Sequence, residues 1–294
     1  MLVSLKELMK DATERGYAVG AFNVSSLESL KAIVGAAEET GKGVILNYVE
    51  IHSNFITMDE IAPIMIRYAK EATVPICVHL DHGESLESCI KAIQLGFTSV
   101  MLDASGEDYE SNVRDTAMIC RLAHSVGVTV EAELGHIFSS EMGVAETPVA
   151  QETLDSYDSV EDVYTDPDVA KDFVERTGVD VLAIAFGTTH GIYTTKPKLD
   201  LDRILKIREK VDIPFVMHGG SGLSKEEFQT AIKNGVRKIN YYTYMNLAGG
   251  KAVKEAMDKK TQGEHVFFHD IPLIAIEGMK EDVKQAIHIF SLEV

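Results

Sequence analysis

Apolar positions along this chain recur with two periods that take turns. Short, nearly continuous apolar runs fall at 17–24, 43–49, 75–80, 98–102, 128–134, 179–185, 214–218 and 236–240. Each is too short for a helix and reads as a strand buried on both faces. Between them, the longer amphipathic period predicts helices over 27–40, 58–71, 85–95, 109–125, 168–176, 201–210 and 225–233, with a last helix from about Tyr244. Gly41, Gly96, Gly127, Gly178 and Gly235 stand where helices should end before strands. Eight strand–helix pairs predict an α/β fold whose parallel sheet closes into a (β/α)8 TIM barrel, one domain over 1–294. An open doubly wound sheet would carry a GxGxxG turn after its first strand, and the stretch from Gly16 to Gly20 supplies none. One stretch breaks the rhythm. The insert at 136–167, after the fifth strand, is rich in Ser, Thr, Glu and Asp, and a connection of that length is expected to be an active-site loop. Residues 244–294 are expected to form a C-terminal helical extension.

Composition narrows the function. With 45% hydrophobic and 25% charged residues in 294, the chain can bury a full core. No run of ~18 apolar residues occurs, so no membrane span is expected. The first 16 residues mix charges through an amphipathic pattern and lack a signal-peptide core, which predicts a cytoplasmic protein. Acidic residues outnumber basic ones 46 to 28, a net charge of −18, so nucleic acid and anionic membranes are excluded as partners. Any phosphate must be held by local groups against that field. Cys77, Cys89 and Cys120 lack CxxC spacing and read as buried reduced thiols.

A barrel's chemistry sits where its strands end. Here strand three ends in HLDHG at 79–83, strand four at Asp103, and strand five carries Glu131 and Glu133. Strand six runs into GTTHG at 187–191, strand seven ends in HGGSG at 218–222, and strand eight reaches Asn240. Asn23 closes the first strand. A lone histidine is best read as a satisfied rim residue. Three strand ends out of eight delivering histidine point instead to a catalytic zinc site with an open position. His79 and His82 both fit the strand-three ligand, and spacing leaves the choice open. The Gly-rich turn at 219–222, followed by helix-opening Ser224, suits a phosphate held by backbone N–H groups.

Taken together, AFNV at 21–24, HLDHG at 79–83, MLDAS at 101–105, EAELG at 131–135, GTTHG at 187–191, HGGSG at 218–222 and KIN-x-x-T at 238–243 resemble the class II, metal-dependent fructose- and tagatose-bisphosphate aldolases. The matches keep the family's order and span nearly the whole chain. The resemblance implies Zn²⁺ on His82, His190 and His218, with Asp103 and Glu133 as carboxylates of a second cation position. It implies Asp81 as acid/base at the C4 hydroxyl and Glu141, six residues after Gly135, as the loop group that moves the C3 proton. It places Asn23 at the substrate, and Gly191, Gly219, Ser221, Asn240 and Thr243 around the phosphate, with a monovalent cation, Na⁺ or K⁺, nearby. The implied reaction cleaves a ketose 1-phosphate or 1,6-bisphosphate into dihydroxyacetone phosphate and an aldehyde, in a homo-oligomer, dimer or tetramer. Asn47-Tyr48-Val49-Glu50 stands where the family places Ser or Thr, Tyr244 replaces an acidic residue, and residues 136–139 replace paired glycines. No arginine follows Arg237, although bisphosphate members use a C-terminal arginine on the distal phosphate. An aldolase for a non-phosphorylated or acidic tail is therefore the second expectation, and a metal-dependent sugar-phosphate isomerase or epimerase the third.

Overall fold

The computed structural model describes residues 1–135, 137–139, 163–191, 197–260 and 265–293. Its strands are β1 (Val19–Asn23), β2 (Val44–Val49), β3 (Ile76–Gly83), β4 (Ser99–Leu102), β5 (Thr129–Leu134), β6 (Phe138–Ser139), β7 (Val181–Ile184), β8 (Thr189–His190), β9 (Phe215–Met217) and β10 (Val236–Tyr241). Eight of them close a parallel barrel in the order β1-β10-β9-β7-β5-β4-β3-β2, while β6 and β8 pair only with each other. The helices are α1 (Leu5–Arg15), α2 (Leu27–Thr40), α3 (Met58–Glu71), α4 (Leu86–Gln94), α5 (Tyr109–His124), α6 (Pro167–Thr177), α7 (Leu201–Arg208), α8 (Lys225–Asn234), α9 (Thr243–Asp258) and α10 (Asp270–Phe290). No helix among the described residues is long and apolar enough to cross a membrane.

Local chemistry explains where helices begin. Ser26 and Ser224 open α2 and α8 with capping boxes, and Pro167 takes the first turn of α6 where its missing N–H costs nothing. The C-terminal extension is two helices. Gly249 and Gly278 bring α9 and α10 together: a Cβ at Gly278 would stand 2.6 Å from Ala252 Cβ.

The barrel interior is layered. Leu5, Leu8, Met9 and Ala12, spaced on one face of α1, plug the N-terminal end against Val19, Ala21, Ile45, Cys77, Val181, Ala183 and Val216. Two residues further along β1, β2, β3 and β9 the inward positions turn polar, at Asn23, Asn47, His79 and His218, and β5 and β10 add Glu131 and Lys238, all buried. The outer faces of the strands stay apolar and pack on the helices. A dry floor thus supports a polar mouth.

Candidate active site

Strand β3 carries the densest chemistry, and its backbone explains how. Its ladder to β4 shifts register between Leu80 and Gly83, and His82 takes φ 47°. A left-handed non-glycine residue costs on the order of 1–2 kcal/mol. The distortion turns two consecutive side chains, Asp81 and His82, toward the mouth, where a regular strand would turn one away. Gly83 permits the bend, since a Cβ there would stand 2.6 Å from the Met101 carbonyl.

His82, His190 and His218 meet at the mouth. Their ring centroids are 5.3 Å (82–190), 4.6 Å (82–218) and 5.9 Å (190–218) apart, and each offers a ligand nitrogen within 4.8 Å of the others. His82 Nδ1–H donates to Asp103 Oδ2 at 2.7 Å, fixing the ring and leaving Nε2 without a partner. Neither nitrogen of His190 has a partner among the described residues. Buried ring nitrogens left bare are costly, and three converging imidazoles are what a borderline-soft cation takes. The donor set therefore fits zinc. His218 lies between two carboxylates, Nδ1 at 2.8 Å from Glu133 and Nε2 at 3.0 Å from Glu131; binding an ion would replace one of these contacts.

The carboxylates set the electrostatics. Burial opposes charge on His218, yet its hydrogen bonds to Glu131 and Glu133 push it up to about 10. Burial likewise opposes charge on His82, which the Asp81 charge and the Asp103 contact raise. His190 falls well below the ordinary histidine range, through burial and then the charges of His82 and His218.

Asp81 is held from two sides. Its Oδ2 accepts from Asn240 Nδ2 at 2.9 Å and Asn47 Nδ2 at 3.2 Å. Its Oδ1 faces Lys238 Nζ and His79 Nε2, each at 3.5 Å. Burial would raise its pKa, but Lys238 and then His82 hold it well below the usual carboxylate range. Asn47 also donates to Asn23 Oδ1 at 3.4 Å, which joins the first strand to the group.

The glycine turn after β9 lies beside the other loops. Gly219 has φ 63° and sits against the backbone of Thr189, two residues before Gly191. Ser221 Oγ accepts from the Tyr242 amide at 3.2 Å, next to Thr243. Gly191, Gly219, Ser221 and Thr243 thus lie in or beside segments that touch one another, whereas the Asn240 side chain is committed to Asp81. Asp103 and Glu133 support different imidazoles. Among the described residues the second group able to hold a metal is instead His79, Asp81 and Glu131. Glu141 lies outside the described residues.

The sequence pattern gives no role to Lys238, Glu131 or Asn47, and offers His79 only as an alternative to His82. Lys238, Glu131 and His79 carry a readable signal: each precedes an assigned residue, Asn240, Glu133 or Asp81, by two positions, and so faces inward one layer deeper. His52 has no such signal in the sequence. It is buried in the short helical turn Glu50–His52 after β2, against Tyr242, with ring centroids 4.7 Å apart.

The family described as fructose-bisphosphate aldolase class-II has a model that matches residues 3–293. The fructose-bisphosphate aldolase of Geobacillus stearothermophilus is 42% identical over 261 residues, 88% of this chain and 86% of that protein. That of Staphylococcus epidermidis is 38% identical over 295 residues, covering 98% of this chain and 97% of its own. Among solved structures, the YdjI aldolase of Escherichia coli K12 superposes with a TM-score of 0.84 at 35% identity, covering 99% of this chain and 97% of that one.

Proposed function

The chain belongs to the class-II fructose-bisphosphate aldolase family, and from that premise we propose that it cleaves a ketose 1-phosphate or 1,6-bisphosphate to dihydroxyacetone phosphate and an aldehyde, with zinc on His82, His190 and His218. The observation that carries the reading is the trio of buried, converging imidazoles, two of them with bare nitrogens, beside an ionised Asp81. When bound, the metal supplies Lewis-acid stabilisation of negative charge on the ketose oxygen.

The protein's own groups do the rest. Asp81, kept deprotonated and oriented by Asn47 and Asn240, accepts the hydroxyl proton as the carbon–carbon bond breaks. Glu141 is assigned the return of a proton to the triose carbon. Backbone N–H groups around Gly191, Gly219 and Ser221, with Thr243 and the N-terminus of α8, hold the phosphate, together with a monovalent cation. This separates the two ends of the substrate, phosphate over β8–β10 and reacting carbons over β3. Family resemblance further supports a cytoplasmic homo-oligomer, dimer or tetramer.

A second reading concerns the distal end, and the absence of arginine beyond Arg237 favours it. Of two C-terminal lysines that could take the arginine's place, Lys251 faces Glu255 at 3.9 Å, and Lys280 is engaged with Glu39 at 2.9 Å and Glu277 at 2.8 Å. An aldehyde product lacking a phosphate, or carrying another acidic tail, fits this end better than a second phosphate does. A coupled assay for dihydroxyacetone phosphate over a panel of ketose phosphates decides both points. Release should stop with chelator and return with zinc; full turnover in stripped protein would sink the metal assignment. A strong preference for fructose 1,6-bisphosphate would sink the second reading.

A further inference from the structure

Beneath the imidazole trio lies a second buried set of metal-ligand type. His79, Asp81 and Glu131 offer ligand atoms within 4.8 Å of one another. One imidazole and two carboxylates suit a divalent transition cation. The set is also aimed: His79 Nδ1 is fixed by Ser99 Oγ at 2.8 Å. That leaves Nε2 without a hydrogen-bond partner, 3.5 Å from Asp81 Oδ1 and 3.6 Å from Glu131 Oε2. An orienting contact on one ring nitrogen is how proteins present the other to an ion.

Two of the cluster's three members already hold a cation. Lys238 Nζ stands 2.9 Å from Glu131 and 3.5 Å from Asp81 Oδ1, with no solvent exposure. The strand delivers it there. The β10–β9 ladder shifts register between Val236 and Lys238, and of two adjacent cations Arg237 bonds the carbonyls of Ile232 and Val236 while Lys238 enters the barrel. Burial disfavours its charge, but Glu131 and Asp81 outweigh burial and keep the ammonium protonated.

We propose that Lys238 is a positioning residue whose ammonium acts as a resident cation, holding Asp81 and Glu131 in place and excluding a divalent ion from the His79–Asp81–Glu131 cluster. The exclusion matters for both carboxylates. A metal on Asp81 would occupy the lone pairs a proton acceptor needs, and a metal on Glu131 would withdraw charge from its 3.0 Å contact to His218. A monovalent ammonium neutralises one of the two buried charges without placing a second dication directly beneath the first.

The test is a metal count on substrate-free protein, so its failure is separate from failure of the aldolase reading. Wild type, Lys238→Met and Lys238→Met/Glu131→Gln are stripped, loaded with excess Zn²⁺, cleared of loose ion and measured by atomic emission per folded chain. Lys238→Met is expected to hold one more ion than wild type. The double variant, one ligand short, is expected to return to the wild-type count. Anomalous diffraction at the zinc edge should place the extra ion at His79, Asp81 and Glu131. An unchanged count in Lys238→Met overturns the proposal, as does anomalous density at that cluster in wild-type crystals. A Lys238→Met chain that stays unfolded at every zinc concentration also overturns it, because a divalent ion then fails to replace the ammonium.

Discussion

His52 shows how one side chain ties stability to pH. It is fully buried, and neither ring nitrogen has a partner among the described residues. Burial holds its pKa down to about 4, against the opposing charge of Asp81. With the folded value below the ordinary 6.5, the unfolded chain binds the extra proton first. Stability from the neutral ring is therefore complete above that ordinary value and is lost as pH falls toward the folded one. The gap corresponds to at most ~3 kcal/mol. Urea melts at pH 7 and near pH 4 should show that loss in wild type and its absence in His52→Phe; parallel losses in both would acquit this histidine. The same scale shows what the sequence conceals. His82, His190 and His218 could be read because each abuts glycine at a strand end, in stretches a known family shares. Lys238 and Glu131 are legible only by alternation from an assigned neighbour, because a charged residue inside a strand has the same letter whether it faces solvent or a buried partner.

At the scale of elements, the turn between β9 and α8 depends on close backbone approach. A Cβ at Gly219 would stand 2.5 Å from the Thr189 carbonyl group, at a φ of 63°. Left-handed strain of about 1–2 kcal/mol would add to that collision. Gly219→Ala should lower Tm by several degrees and kcat/KM for a ketose phosphate more than about tenfold, since each 1.4 kcal/mol lost in the transition state is tenfold. Unchanged kinetics would place the phosphate elsewhere. Barrel strands and the helices that follow them come out of hydrophobic period to within a few residues, because barrel strands buried on both faces are continuous apolar runs. Helix α1, ahead of the first strand, is not among the predicted helices. The exceptions are instructive. Strand β3 runs beyond the predicted Leu80 to Gly83 because its last residues are polar and distorted, features that period counting reads as a loop. The pair β6 and β8, two residues each, is too short to have a period.

Over the whole molecule, eightfold alternation made the barrel readable in advance, and the net charge of −18 makes it a poor attractor of phosphate esters. Raising ionic strength from about 0.01 M to about 0.15 M shortens the screening length from roughly 30 Å to roughly 8 Å. The kcat/KM for a sugar phosphate should rise over that range; a fall would mean that a positive local potential at the barrel mouth dominates the encounter. The small ladder of β6 with β8 constrains how this architecture can diverge. Ser139 lies in register with His190, so the chain leaving β5 is tied by its main chain to a member of the imidazole trio within the first few residues of the insert. Lineages remain free to lengthen, trim or rewrite what comes after that knot. Shifting the knot itself by one residue would unseat a histidine, so variation in length should accumulate on one side of Ser139 and stop there.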